Sequence, residues 1–285
     1  MNNLFPVSTS REVVSRSKFP VRISICTFNC WGTHNWPDRR LPLSRAIATL
    51  LPDVILVQEA SDDIIATILS TSVDYACIKD SQNEGWTRES NIIYNEQMFE
   101  LLESGFSNLE MPDLPLRGLF WCRLRVRSET SVTLFVSTAH LPWVGSKAEI
   151  ESGINVRIPV TKKVCRELKR LVFSHADHAD DTCIFAGDFN EDFHPLRILA
   201  DECGMREVFS LLGTALYQSI HPSSNFTMLV SDLVNFANQR YPRTHNAPSA
   251  TLCIRRGDQT QPNARLVFFL LSFLPSFTYS SKCPH

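Results

Sequence analysis

Four apolar stretches of the sequence each end in polar residues of types that take part in hydrolytic chemistry. Asn29 closes "ICTFN", Glu59 follows "VILVQ", His140 closes "FVSTAH", and Asp188 and Asn190 lie in "CIFAGDFN". Each residue taken singly has a structural explanation, because polar residues often cap helices and close the turns that follow strands. Four such strand ends with chemically compatible groups in one chain favour a shared site.

The chemistry that these groups could perform together is hydrolysis of a phosphate ester. Glu59 is a hard oxygen donor suited to Mg²⁺ (or Mn²⁺), and Asn29 can add a neutral amide oxygen beside it. A metal ion there could neutralise phosphoryl oxygens and stabilise a leaving oxyanion. Asp188 could orient or deprotonate a water, and Asn190 could donate a hydrogen bond to a non-bridging oxygen. His140, if protonated, could donate in the same way or act as an acid.

Alternating strands and helices must position these groups. Apolar runs predict strands, and helical spacing predicts helices between them. The strands are expected at 21–28, 52–60, 73–79, 91–95, 118–126, 131–140 and 182–190, and the helices at 41–51, 62–70, 159–174 and 194–203, with Gly204 just past the last one. From Ser219 onward, Pro, Asn and Ser predict a long irregular segment. The order predicts an α/β chain, and the first strand is not followed by a glycine-rich dinucleotide-binding loop.

Composition and charge narrow the class of protein. The 285 residues carry a net charge of −2, so a broad basic surface for nucleic acid is absent from the sequence. None of the nine cysteines forms a C-x-x-C pair, which favours reduced core thiols in an intracellular, cytoplasmic protein over zinc ligands or disulfides. Residues 1–20 lack the apolar run of a secretory signal and are expected to form a flexible leader.

The ordered set "TFNCWG", "VQEA", "STAHL" and "GDFN" resembles the endonuclease/exonuclease/phosphatase superfamily, and "NCWG" is similar to its neutral sphingomyelinases. The resemblance covers residues 21–266. It implies a single domain over that range, built as a four-layer α/β sandwich of two mixed β-sheets flanked by helices. It also implies that Asn29 and Glu59 lie near a divalent metal and that His140, Asp188 and Asn190 surround the scissile phosphate.

Three further residues are candidates for substrate binding. Asn91, in "TRESNIIYN", matches a central strand of the family and could face the site, although a polar residue that merely opens a strand is an equal alternative. Trp143 could stack on a base or line a pocket, or it could pack a loop. Arg157 could meet a phosphate, whereas an exposed arginine at a helix start is the simpler interpretation.

The end of the sequence departs from the family. The resemblance implies a late Asp and a final Ser-Asp-His, but Val267 stands where the Asp is expected and no Ser-Asp-His follows. The C-terminal strands are therefore expected to be incomplete, with 267–285 an atypical apolar tail. The tail is too short for a membrane span and contains Pro275. Its residues could form a buried strand over 266–271, or they could be a translated intron, which the sequence favours.

Two functions follow from these observations. The first is a metal-dependent phosphoesterase that uses water to cleave a phosphodiester and is impaired by the missing Asp-His pair. The second is a non-catalytic relative that binds a phosphorylated ligand or a protein. The sequence leaves nucleic acid, phospholipid and small phosphate esters open as substrates. Because no membrane anchor is visible, a lipid substrate would require peripheral binding.

Overall fold

A computed structural model of the protein describes residues 21–111, 113–128, 132–173, 178, 181–191, 193–208, 250–255 and 264–270. The predicted leader, the irregular segment that begins at Ser219 and the tail beyond Leu270 lie outside these ranges, except for the two short stretches at 250–255 and 264–270. None of the helices among the described residues combines the length and the apolar composition needed to cross a membrane.

The first sheet contains the strands that carry Asn29 and Glu59. Its five described strands are mixed in direction and lie in the order β11-β1-β2-β4-β3. Their bounds are β1 Val21–Asn29, β2 Val54–Gln58, β3 Tyr75–Cys77, β4 Ser90–Asn95 and β11 Ala264–Leu270. Strand β2 is buried along its whole length, as a strand covered on both faces must be. Because β1 runs parallel to both β2 and β11, the carboxyl ends of β1 and β2 meet at one edge.

The second sheet contains the strands that carry His140 and Asp188. Its six described strands lie in the order β5-β6-β7-β8-β10-β9, and β7 and β8 are its parallel pair. Their bounds are β5 Phe99–Asn108, β6 Gly118–Val126, β7 Thr133–His140, β8 Thr182–Asp188, β9 Arg206–Glu207 and β10 Ala250–Arg255. In this register His140 pairs with Asp188 at the carboxyl ends of the two strands.

Six helices connect the strands of the described residues, and four of them cover the outer faces of the sheets. They are α1 Trp36–Leu50, α2 Asp62–Leu69, α3 Gly85–Arg88, α4 Lys147–Ser152, α5 Arg157–Leu168, which continues as a π-helical turn over Lys169–Phe173, and α6 His194–Cys203. Helices α1 and α2 pack on the first sheet, and α5 and α6 pack on the second. The inner faces of the two sheets pack on each other through apolar residues such as Ile25, Leu56 and Phe120. This arrangement confirms the predicted sandwich of two mixed sheets.

Several local expectations need adjustment. Strand β5 was not expected from the sequence, because its exposed half carries Glu100, Leu101, Leu102 and Glu103 without an alternating pattern. Helix α1 begins at Trp36, five residues before the expected start. Strand β11, Ala264–Leu270, covers most of the range 266–271 that was offered above as a possible strand.

Candidate active site

The amide of Asn29 joins the two sheets at the rim where their strand ends meet. Its Nδ2 donates hydrogen bonds to Glu59 Oε1, at 2.8 Å, and to Asp188 Oδ2, at 2.9 Å. Its Oδ1 accepts a hydrogen bond from the Trp31 backbone N–H. One nitrogen therefore holds two carboxylates that come from different sheets.

His140 completes this cluster from the end of β7. Its Nε2 lies 3.7 Å from Glu59 Oε1 and 3.8 Å from Asp188 Oδ2, and the ring is buried. Burial, together with the nearby charge of Arg117, lowers the pKa of His140 well below its ordinary value. Burial therefore favours the neutral imidazole over the protonated form that the acid role requires. Its Nδ1 is buried and has no hydrogen-bond partner among the described residues.

Asp188 and Asn190 form a tight turn after β8. Burial raises the pKa of Asp188 above its ordinary value, and the hydrogen bond from Asn29 opposes that rise. Asp188 Oδ1 accepts the Asn190 backbone N–H, and Asn190 Nδ2 donates to the Leu141 carbonyl at 2.9 Å. Gly187 must be glycine here, since an added Cβ would lie 2.0 Å from the Ala139 carbonyl oxygen. The turn is thus locked to the strand end that carries His140.

The donors around Glu59 fit a cation that keeps most of its water. Glu59 has a positive φ of 50°, and its side chain is 28% exposed. Within the described residues, no group of three or more His, Cys, Asp or Glu side chains is arranged to hold a metal ion. Mg²⁺ is usually bound through one or two carboxylates and waters, whereas zinc sites take three or four protein ligands. The donor set is therefore compatible with Mg²⁺, although the nitrogen of the Asn29 amide, rather than its oxygen, faces the carboxylates.

Arg117 is a component of the site that sequence reasoning missed. Its Nε donates to Glu89 Oε2 at 3.0 Å, and the side chain is 8% exposed. Its Nη1 is buried without a hydrogen-bond partner among the described residues. The charge of Arg117 contributes to the low pKa of His140 and opposes the rise in the pKa of Asp188. Arg117 directly precedes β6, which pairs antiparallel with β7, and a buried cation with an unused donor there is suited to an anionic substrate group.

The pairing of the strands indicates that Arg117 lies at the rim of the site. Strand β6 is antiparallel to β7, so its first residues lie beside His140 at the end of β7. Glu89 precedes β4, which is antiparallel to β2, and the Ala60 N–H donates to the Glu89 carbonyl. Charged residues that precede antiparallel strands therefore reach the same rim as residues that follow parallel ones.

The other three predicted site residues do not contact this cluster. Asn91 is buried, and its amide bonds to the backbone of Ile78 and Trp86, so the side chain braces the loop before β4. Trp143 is 46% exposed, with the Arg117 guanidinium 5.6 Å from its ring centroid. Arg157 does begin α5, but the expectation that it is exposed is wrong, because it is 3% exposed.

Arg157 is buried because it binds the segment between β7 and α5 and the loop that follows β8. It contacts Glu149 through Nη2 at 2.6 Å and Glu191 through Nε at 2.9 Å. Its Nη1 also donates to the Pro142 carbonyl. Glu191 accepts further hydrogen bonds from Asn155 and His194. The guanidinium is thus occupied by protein groups, and a structural role explains it.

The Glu191 cluster predicts a stability change in acid. Burial opposes ionisation of Glu191, but hydrogen bonds from Asn155, His194 and Arg157 outweigh it and hold its pKa at about 2. Because this pKa lies below the ordinary value of 4.5, the ionised group stabilises the fold above pH 4.5, and that contribution disappears as the pH falls towards 2.

The matching measurement is chemical denaturation of wild type and Glu191→Gln at several pH values. We expect the variant to be less stable at pH 6 and the difference to shrink towards zero near pH 2. Glu151→Gln, at a carboxylate whose side chain is 65% exposed, should show a small difference throughout. A Glu191→Gln difference that stays constant with pH would contradict the assignment.

Comparison with known proteins agrees with the fold. The fold and the family model together place the chain in the class of hydrolases that act on phosphoester bonds. The chain belongs to the endonuclease/exonuclease/phosphatase family, whose sequence model matches residues 26–255. No curated protein matches the sequence significantly.

Solved structures with the same fold have low sequence identity to this chain. A D. rerio TDP2 complexed with single-strand DNA product has a TM-score of 0.57 and 18% identity, covering 85% of each chain. A Bacteroides thetaiotaomicron mannosyl-6-phosphatase has a TM-score of 0.56 and 16% identity, covering 82% of this chain and 84% of its own. The human Nocturnin catalytic domain with bound sulfate has a TM-score of 0.52 and 14% identity, covering 78% and 76%.

Proposed function

We propose that this chain is a divalent-metal-dependent phosphoesterase that hydrolyses a phosphodiester by direct attack of water. The observation that carries the proposal is the single amide nitrogen of Asn29, which holds the carboxylates of Glu59 and Asp188 together beside His140. Two carboxylates this close repel each other unless a cation or a proton compensates them. The arrangement therefore suits a metal-assisted reaction at a phosphate group.

Each residue has a role that follows from its contacts. Asp188, a buried acceptor next to neutral His140, orients the attacking water and takes its proton. Arg117 uses its unpaired Nη1 to hold a non-bridging phosphoryl oxygen, and the remaining N–H of the Asn190 amide can hold another. Glu59 would hold Mg²⁺ or Mn²⁺, with Asn29 orienting its carboxylate or, with the amide turned over, adding an oxygen. The ion, when bound, supplies positive charge that stabilises the developing oxyanion.

Nucleic acid has specific support among the candidate substrates. The D. rerio TDP2 structure contains a single-strand DNA product, and this chain shares its fold. The net charge of −2 favours a short contact with the nucleic-acid backbone over a long duplex footprint. Phospholipids and small phosphate esters use the same reacting group and are distinguished by direct assay.

Val267, which stands where the family resemblance implies an Asp, supports two further statements. We propose that hydrolysis is slow, because loss of a positioned acid or base commonly lowers the rate by about 10²–10⁴-fold. The same substitution favours the second candidate, a non-catalytic protein that binds a phosphorylated ligand at the rim. A multiple-turnover assay with Mn²⁺ distinguishes the two, because a slow enzyme releases more than one product molecule per protein molecule and a binding protein releases none.

Metal binding at Glu59 is tested by thermal unfolding. We expect Mg²⁺ or Mn²⁺ to raise the melting temperature of the wild type, with a stabilisation of about 2.7 kcal/mol when the free metal is a hundred times its Kd. Glu59→Gln keeps the hydrogen bond to Asn29 but removes the charge, so its metal-induced shift should vanish. Glu84→Gln, at a carboxylate whose side chain is 65% exposed, should retain the shift. Equal shifts in all three proteins would count against the site.

A further inference from the structure

The loop between β1 and α1 is held by Arg39, a residue that has no role in the reaction described above. Arg39 lies in the first turn of α1, and its side chain folds back over the loop that precedes the helix. Its Nε donates a hydrogen bond to the His34 carbonyl at 2.7 Å, and its Nη2 donates to the carbonyls of Gly32, at 2.9 Å, and Trp31, at 3.3 Å. Its Nη1 donates to the Cys30 carbonyl. A single guanidinium therefore binds four carbonyl groups of one short loop.

Both the conformation of the loop and the position of Arg39 depend on these contacts. Trp31 and Asn35 have positive φ angles of 56° and 48°, in a region that residues with a Cβ adopt rarely. A cation in the first turn of a helix is also disfavoured by the helix dipole. The guanidinium carbon lies 5.7 Å from the ring centroids of Trp31 and Trp36, which is within the range of a cation–π contact. Since the hydrogen bonds and the ring contacts offset both unfavourable effects, Arg39 and the loop stabilise each other.

The same loop supplies backbone N–H groups that orient two residues of the candidate active site. The Trp31 N–H donates to Asn29 Oδ1 at 2.7 Å. Because the oxygen of the amide is bound in this way, its nitrogen faces the two carboxylates that it holds together. The Gly32 N–H donates to the Glu59 backbone carbonyl at 3.1 Å, and a Cβ at Gly32 would lie 4.0 Å from Glu59 Oε2. The guanidinium that holds the loop therefore acts indirectly on both Asn29 and Glu59.

We propose that Arg39 is a positioning residue: by holding the loop, it keeps the Asn29 amide turned with Nδ2 towards the two carboxylates, and it thereby sets the affinity of Glu59 for a divalent metal. Loss of the guanidinium would release the loop carbonyls, let the Trp31 N–H move away from Asn29 Oδ1 and allow the amide to turn over. Groups that orient a metal-binding residue without touching the metal commonly contribute about 10–100-fold to metal affinity. The effect on metal affinity rests on the proposed function, whereas the orientation of the amide does not.

The orientation of the amide is tested by NMR of the metal-free protein labelled with ¹⁵N at the asparagine side chains. The Asn29 signal is assigned by its loss in Asn29→Ala, and its hydrogen exchange with water is then measured. We expect exchange to be at least about tenfold faster in Arg39→Ala than in the wild type, because the amide hydrogens leave their carboxylate acceptors more often. Arg39→Lys, which serves where Arg39→Ala does not fold, should also exchange faster, since one ammonium group cannot span the carbonyls that three guanidinium nitrogens contact. Arg40→Ala removes the same charge from an exposed neighbouring position and should exchange at the wild-type rate.

The effect on metal affinity is measured in the same proteins by titration with Mn²⁺, with the free ion followed by electron paramagnetic resonance. We expect the Kd for Mn²⁺ to be about 10–100-fold higher in Arg39→Ala and unchanged in Arg40→Ala. A merely structural role would lower the melting temperature but leave the exchange rate and the Kd of the folded protein unchanged, and that result would overturn the proposal. Faster exchange with an unchanged Kd would overturn the link to the metal. If the wild type binds no Mn²⁺, the proposed function fails, and the exchange rates still decide whether Arg39 positions Asn29.

Discussion

Replacing Asp188 by Asn is expected to lower kcat for phosphodiester hydrolysis by about 10²–10⁴-fold. The change keeps the size of the side chain and one acceptor oxygen, so only one of the two hydrogen bonds that Asp188 accepts, from Asn29 or from the Asn190 N–H, can persist. It also removes the group that can accept a proton from water. Because Asp188 is buried beside neutral His140, solvent is a poor replacement for it.

The matched control is Asp201→Asn on α6. Asp201 is 3.5 Å from Arg197, and its side chain is 68% exposed, so this variant should retain wild-type activity. Melting temperatures of both variants establish that the fold is intact. A folded Asp188→Asn protein with activity within about threefold of wild type would show that Asp188 is not the group that activates water.

Replacing Arg157 by Ala is expected to destabilise the fold by about 3 kcal/mol, because two partly buried carboxylates lose their common partner. Glu149 and Glu191 are 18% and 16% exposed, so water can replace the guanidinium only in part. The substitution also removes the hydrogen bond to the Pro142 carbonyl. The expected decrease in melting temperature is roughly 6–12 °C.

Arg170→Ala provides the comparison on the continuation of α5. Arg170 also pairs with a glutamate, at 2.7 Å, but its side chain is 62% exposed. Exposed ion pairs contribute about 0–1 kcal/mol, so this variant should unfold near the wild-type temperature. Similar losses in the two variants would mean that burial of the Arg157 cluster does not contribute as proposed. An active but unstable Arg157→Ala protein would agree with its structural role.

The central residues of the candidate site could be predicted because they lie at the ends of strands that the hydrophobic runs predict. Asn29 and Glu59 lie at the carboxyl ends of the parallel strands β1 and β2, and His140 and Asp188 lie at those of β7 and β8. Parallel strands bring their carboxyl ends to one edge, so residues far apart in sequence become neighbours. The hydrophobic runs fixed these strand ends to within one or two residues, which was sufficient to identify the cluster.

The surrounding contacts could not be predicted because they depend on tertiary pairing. Arg117 and Glu89 are 28 residues apart, and they meet only because β6 and β4 begin at the same rim of different sheets. Arg157 is an ordinary helix-start arginine in the sequence, and its burial depends on Glu191, 34 residues later. Strand β5 lacks an alternating apolar pattern because exposed positions carry both leucine and glutamate, and its register shifts between Leu101 and Glu103.

The most direct test of the central claim is the initial rate of bis-p-nitrophenyl phosphate hydrolysis with Mn²⁺ or Mg²⁺ and with a chelator. The account predicts a slow, metal-dependent rate in this chain that disappears in Glu59→Gln and persists in Glu84→Gln. A chain that is folded and binds the metal, yet hydrolyses the ester no faster than Glu59→Gln, would contradict the phosphoesterase proposal. The rim formed by Asn29, Glu59, His140 and Asp188 would then be a binding site rather than a catalytic one.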